Sequence, residues 1–159
     1  MMIITAIMSA AFAGPLAEGY KGLTWGTYET FPAPAEDCRE GTEPGIGWIC
    51  SQSIGDITVE AAYAYKHNIF YAVVLAAKSY SDCNTLMDTL ETGWGSSTPF
   101  SKYAADKLDK RAWREKNVFA SWQYDSYNKE CNVYMIHNVL MGKMESIEKA
   151  AAAKGAQDL

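Results

Sequence analysis

The sequence predicts an α+β domain, in which an antiparallel sheet built from hairpins carries two or three helices on one face. Three observations support this class. Two pairs of apolar segments are each joined by a short turn, a helical apolar pattern separates the pairs, and another follows the second pair. Hairpins impose antiparallel pairing, and so few helices cover one face of such a sheet. The other face is expected to stay partly exposed.

The first hairpin is predicted over residues 56–77. Residues 56–65 alternate between apolar and polar or small side chains, as in a half-buried strand. Residues 69–77 are almost entirely apolar, which indicates a central strand. Residues 66–68 form the turn, because Asn68 tolerates a left-handed backbone. A shorter strand over 48–52 precedes this hairpin.

A helix is expected next, with Ser81 or Asp82 as its cap and Gly93 at its end. Its apolar face consists of Cys83, Leu86, Met87 and Leu90. Pro at the first position of a helix is common, so Thr98-Pro99 predicts a further helix over residues 101–114.

A second hairpin is predicted from the alternation over 118–124 and 131–136. The last element is a helix from about residue 140 to 154, which Gly155 ends. Its predicted apolar stripe consists of Leu140, Met144, Ile147 and Ala151.

The start of the chain resembles a secretory signal. Residues 1–13 carry no charge and end in small residues, and Gly14-Pro15 then interrupts any helix. We therefore expect cleavage after Ala13, which leaves residues 14–159 as one domain. The leader lacks the usual positive charge at its start, and a buried structural segment and a membrane anchor are the alternatives. The apolar run is shorter than the roughly 20 residues of a membrane span.

The charge balance argues against nucleic acid as a partner. The net charge is −5, and phosphate backbones attract basic proteins. One basic cluster is interleaved with acidic residues, which favours a solvated helix face. Its members are Lys102, Lys107, Lys110, Arg111, Arg114 and Lys116.

The four cysteines predict two disulfides in an exported protein. We favour Cys38–Cys50, which closes a loop containing Gly and Pro, and Cys83–Cys131, which ties a helix to a strand. The alternative is four reduced, buried thiols. No CxxC pair is present, so no metal site and no cofactor are predicted.

The loop over residues 32–47 is the best candidate for a binding site. A loop closed by a disulfide is pre-organised, and this lowers the entropic cost of docking. Its acidic residues Glu36, Asp37, Glu40 and Glu43 lack the alternation of a calcium loop.

The aromatic residues are the second candidate. Ten tyrosines and five tryptophans exceed what a core of this size needs. The aromatic side chains on strands form a binding patch if they point away from the helices. If they point towards the helices, they belong to the core. We include Trp48, Trp122 and Tyr124 in the predicted binding surface.

These features favour an exported, periplasmic or extracellular, binding or inhibitory module that recognises a protein or small ligand. No Gly-x-Ser-x-Gly motif is present, and His67 and His137 are interpreted as surface or capping residues. One alternative is a small hydrolase that uses carboxylates or a histidine in a cleft. Another is a structural subunit that assembles through an open sheet edge.

Overall fold

The computed structural model describes residues 16–21, 23–27, 37–99 and 110–157. The predicted leader, the Pro-rich residues 31–35 and most of the predicted helix over 101–114 lie outside these ranges. The strands are β1 (Gly19–Tyr20), β2 (Leu23–Thr24), β3 (Cys38–Glu40), β4 (Ile46–Ile54), β5 (Ile57–Lys66), β6 (Ile69–Ala77), β7 (Thr98–Pro99), β8 (Arg111–Glu115), β9 (Val118–Asp125) and β10 (Glu130–His137). The helices are α1 (Tyr80–Trp94) and α2 (Asn138–Gln157).

The main sheet has eight antiparallel strands in the order β3-β4-β5-β6-β10-β9-β8-β7. Strands β1 and β2 form a separate two-stranded ribbon. Each half of the main sheet is a meander followed by a helix, and the halves join where β6 pairs with β10. The predicted α+β class and the central position of residues 69–77 are confirmed.

The hairpin turns follow from residues that accept a left-handed backbone. His67 and Asn68 have φ values of 51° and 59° in the turn between β5 and β6. Two successive positive φ angles are typical of the type I′ turn, whose twist matches that of the flanking strands. Gly55 and Lys116 also have positive φ in the turns before β5 and β9.

One face of the sheet, here the core face, holds a continuous apolar cluster. The register places Val59, Leu75, Val133 and Trp122 on this face, and all four are buried. Helix α1 contributes Cys83, Leu86, Met87 and Leu90 to the cluster, as its spacing predicted. Its N-cap is Ser79, which accepts the Asp82 N–H, rather than Ser81 or Asp82.

Residues 16–21 and 23–27 provide the second cover of the core face. Leu16, Tyr20 and Trp25 are all buried in the main cluster. The Trp25 ring stacks on Phe70 with centroids 4.8 Å apart, and its Nε1–H donates to the carbonyl of Leu16 at 3.0 Å. The segment therefore packs as a compact plug rather than as an extended strand.

The plug also bridges distant strands. The Ala17 N–H donates to Glu115 on β8, and the Tyr20 hydroxyl donates to Gln52 on β4 at 3.3 Å. Gln52 in turn donates to the Tyr63 hydroxyl. Burial raises the pKa of both Tyr20 and Tyr63, so these phenols stay neutral hydrogen-bonding groups.

Helix α2 differs from its prediction in length and burial. It begins at Asn138 and includes Gly155, which was expected to end it. Only Met144 of the predicted apolar stripe is buried, and it lies outside the main core cluster. Ile147 and Ala151 are exposed instead. An ion pair between Lys66 and Glu148 connects the helix to the end of β5.

The prediction that a helix begins at Thr98-Pro99 is wrong for the residues that the structure describes. Thr98 and Pro99 form edge strand β7, which pairs with Ala112 and Arg111 of β8. An edge strand tolerates Pro, because the missing N–H costs no hydrogen bond on the outer side. Arg111 and Arg114 of the basic cluster therefore belong to a strand and not to a solvated helix face.

Replacing Trp25 by Ala tests the plug. We expect the free energy of unfolding to fall by about 3–5 kcal/mol, because the change removes a buried indole and leaves a cavity. Denaturant unfolding of the oxidised protein measures this. Tyr127→Ala is the control, since Tyr127 is 93% exposed and its loss should change stability by less than about 0.5 kcal/mol. Equal stability of the Trp25→Ala protein and the control would contradict the role given to residues 16–27.

Candidate functional site

The candidate site is the hairpin of β3 and β4, which a disulfide closes at its base. Cys38 and Cys50 lie directly opposite each other in the register and are bonded, with Cα atoms 4.1 Å apart. Cys83 on α1 and Cys131 on β10 form the second bond. Both pairs are those predicted from the sequence. In the chain-entropy model the shorter loop contributes about 3 kcal/mol to stability.

The tip of this hairpin has a defined conformation. The Ile46 N–H donates to the Glu43 carbonyl at 3.1 Å, and Gly45 has a φ of 86°. With Pro44 before Gly45, this geometry is typical of a type II turn. The Gly41 N–H donates to the Gly47 carbonyl at 3.0 Å and holds the two arms together.

Two further contacts fix the position of the tip. The Tyr65 N–H on β5 donates to the Gly45 carbonyl at 2.8 Å, which anchors the loop to the neighbouring strand. A Cβ atom on Gly41 would lie 2.4 Å from the carbonyl oxygen of Ile46. Because of this contact, a larger residue at position 41 would force the two arms apart.

The predicted acidic residues lie along this hairpin. Asp37, Glu40 and Glu43 are exposed, while Glu36 lies outside the described residues. The Asp37 carbonyl accepts the Ser51 N–H at 3.2 Å, so Asp37 continues the pairing beyond β3. Arg39 forms an ion pair with Glu60 of β5 at 3.3 Å.

The predicted aromatic residues do not form one surface. Trp48 lies opposite Glu40 in the hairpin and is half-buried against the core. The Trp122 side chain lies on the core face and is fully buried, which corrects the prediction that it belongs to an exposed binding surface. Tyr124 is half-buried on β9 and packs edge-on against Tyr80 with centroids 5.9 Å apart. Trp48 therefore lies with the acidic residues, whereas Trp122 and Tyr124 on β9 lie apart from them.

The two histidines have different surroundings. His67 is exposed in the turn between β5 and β6. His137 ends β10, and its Nδ1 accepts the Leu140 N–H at 3.3 Å, so the neutral imidazole caps α2. Its ring lies 6.4 Å from that of Trp25, and burial lowers its pKa.

Among residues 16–21, 23–27, 37–99 and 110–157, no group of three His, Cys, Asp or Glu side chains is placed to hold a metal ion. Neither helix in these ranges is both long enough and apolar enough to cross a membrane.

Sequence reasoning missed two tryptophans that line a cleft. Trp113 was assigned to a helix, although Arg111, Trp113 and Glu115 alternate with exposed or small residues as in a strand. Trp94 ends α1 and lies 5.5 Å from Trp113, centroid to centroid. The alternation around Trp113 was the available signal, but charged residues on both faces obscured it.

Comparisons with protein-family models, with characterised proteins and with solved structures find no match to this chain.

The capping role of His137 predicts a pH dependence of stability. The pKa of His137 is lower in the folded state than the ordinary value of about 6.5 expected on unfolding. The unfolded chain therefore binds the proton more readily. The stabilisation is complete above about pH 6.5, and it is lost as the pH falls towards the folded-state pKa.

His137→Asn should remove this pH dependence, because Asn keeps a capping oxygen but does not titrate. Denaturant unfolding at several pH values between about 5 and 7.5 measures the effect. His67→Asn is the matched control and should retain the wild-type profile. A wild-type profile in His137→Asn would show that another group is responsible.

Proposed function

We propose that this protein is an exported binding module and that the Cys38–Cys50 hairpin is its contact element. The partner is a protein in the envelope or the extracellular space. The observation that carries the proposal is the set of contacts that hold an exposed tip, namely a disulfide, a tight turn and a hydrogen bond to β5. The protein itself is a small α+β domain with two disulfides.

Export is supported by the chemistry of the cysteines. All four are paired, and disulfides persist in oxidising compartments but are rare in the cytosol. The predicted cleavage after Ala13 is compatible with the fold, because the buried plug begins three residues later at Leu16. Cleavage at that position would leave every described core residue in the mature chain.

Binding through the hairpin is supported by its low conformational freedom. An ordinary loop loses entropy when it docks, whereas a loop that is already ordered avoids most of that cost. Thr42, Glu43 and Pro44 are exposed at the tip, where side chains can enter a partner's cleft. Glu40 and Trp48 extend the contact along the hairpin, and they add a charge and an aromatic surface.

Fractionation of the source cells tests export. We expect a mature chain that begins at Gly14, outside the cytosol, with no thiol available to alkylation before reduction. N-terminal sequencing and mass spectrometry of the alkylated protein measure both properties. A chain that retains Met1 in the cytosol and carries four reactive thiols would contradict the proposal.

Photo-crosslinking in the same cells tests the contact element. A benzophenone amino acid in place of Thr42 should yield a specific adduct, because that side chain is at the tip. The same amino acid in place of Tyr127 is the control, since Tyr127 is highly exposed in the turn between β9 and β10. Adding Cys38→Ser and Cys50→Ser should reduce the Thr42 adduct at least severalfold.

Three results would count against the contact element. An adduct from position 127 alone would place the contact elsewhere on the protein. The same Thr42 adduct yield without the disulfide would remove the argument from pre-organisation. The lack of any adduct in both the envelope and the medium would oppose a binding function altogether.

A further inference from the structure

A cleft of about 270 Å³ lies between the end of α1, strand β8 and the start of the plug. It is smaller than the pockets that hold drug-sized molecules, so it suits a compact ligand. The side chains that matter for its chemistry are Leu16, Trp94, Ser96, Thr98, Trp113 and Glu115. The cleft is distinct from the Cys38–Cys50 hairpin and shares no residue with it.

Two indole rings form a corner of this cleft. The rings of Trp94 and Trp113 are inclined at 78°, with centroids 5.5 Å apart. Trp113 is held in place because its Nε1–H donates to the Gly95 carbonyl at 2.8 Å. The faces of indole rings carry partial negative charge and attract organic cations more strongly than other aromatic side chains do.

A carboxylate lies in the same cleft. Glu115 is half-buried, and one of its oxygens accepts the Ala17 N–H at 3.1 Å, which fixes the side chain. Negative charge beside aromatic rings favours a cation further. Arg114 also lines the cleft, but its guanidinium carbon lies 5.7 Å from the centroid of the Phe119 ring and interacts with that ring.

Polar residues line the cleft beside Trp94, at the end of α1. They are Ser96 and Thr98. The Nε1 atom of Trp94 is buried and has no hydrogen-bond partner in the part of the chain that the structure describes, so the cleft meets the rest of the indole ring.

We propose that this cleft binds a small organic cation, an alkylammonium of the size and polarity of choline. The ammonium group lies against the indole faces near Glu115, and the hydroxyl of the ligand meets the polar groups at the end of α1. The site is independent of the hairpin, so a failure of one proposal leaves the other intact.

Isothermal titration calorimetry of the oxidised protein with choline chloride tests the proposal. We expect saturable binding in the millimolar range. The control ligand is the neutral analogue in which carbon replaces the ammonium nitrogen, and it should bind about tenfold more weakly because it has the same shape without the charge. Equal affinity for the two ligands, or no saturable binding of choline, would overturn the proposal.

Two variants assign the binding to the cleft. Trp94→Leu should weaken choline binding about tenfold, since it removes one indole face. Glu115→Gln should weaken it severalfold and provides the test if Trp94→Leu does not fold. Tyr80→Leu removes an aromatic ring from the opposite end of α1, and it should leave the affinity unchanged. Wild-type affinity in Glu115→Gln and in folded Trp94→Leu would show that the cation binds elsewhere.

Discussion

The core face of the eight-stranded sheet is covered by two parts of the chain that are far apart in sequence, α1 and the plug of residues 16–21 and 23–27. An apolar sheet face exposed to water is unstable, so the rest of the fold depends on these covers. The second helix contributes less, because among residues 138–156 its only buried side chain is that of Met144, which lies outside the main cluster, while Leu140 packs against the cluster and is partly buried. The plug covers the core instead. Its main contact is Trp25, which stacks on Phe70 and donates a hydrogen bond to the carbonyl of Leu16.

The two disulfides act on different parts of this arrangement. Cys83–Cys131 joins α1 to β10 and thereby holds a cover on the core face. Cys38–Cys50 joins an edge strand of three residues to β4, where backbone pairing alone is weak. One bond therefore maintains the core, whereas the other maintains an exposed hairpin. This difference is the physical basis for treating the hairpin as the contact element.

The two proposals assign different kinds of recognition to the hairpin and to the cleft. The hairpin presents exposed acidic residues, and a disulfide and backbone hydrogen bonds hold its tip. The cleft is concave and aromatic, and it is built partly by the plug, because Leu16 lines it and Ala17 orients Glu115. The same segment thus completes the core and lines the cleft, so the stability of the plug and the shape of the cleft are physically linked.

The sequence by itself determined the central hairpins, because alternation and short turns are local properties. It favoured the two disulfide pairs that the structure contains but did not determine them. It did not determine that residues 111–115 form a strand, since charged residues on both faces obscure the alternation around Trp113. Nor did it determine that Trp122 is buried while Ile147 is exposed. An apolar side chain is buried only if another segment covers its face, and only the tertiary structure showed that the plug covers the core beside α1.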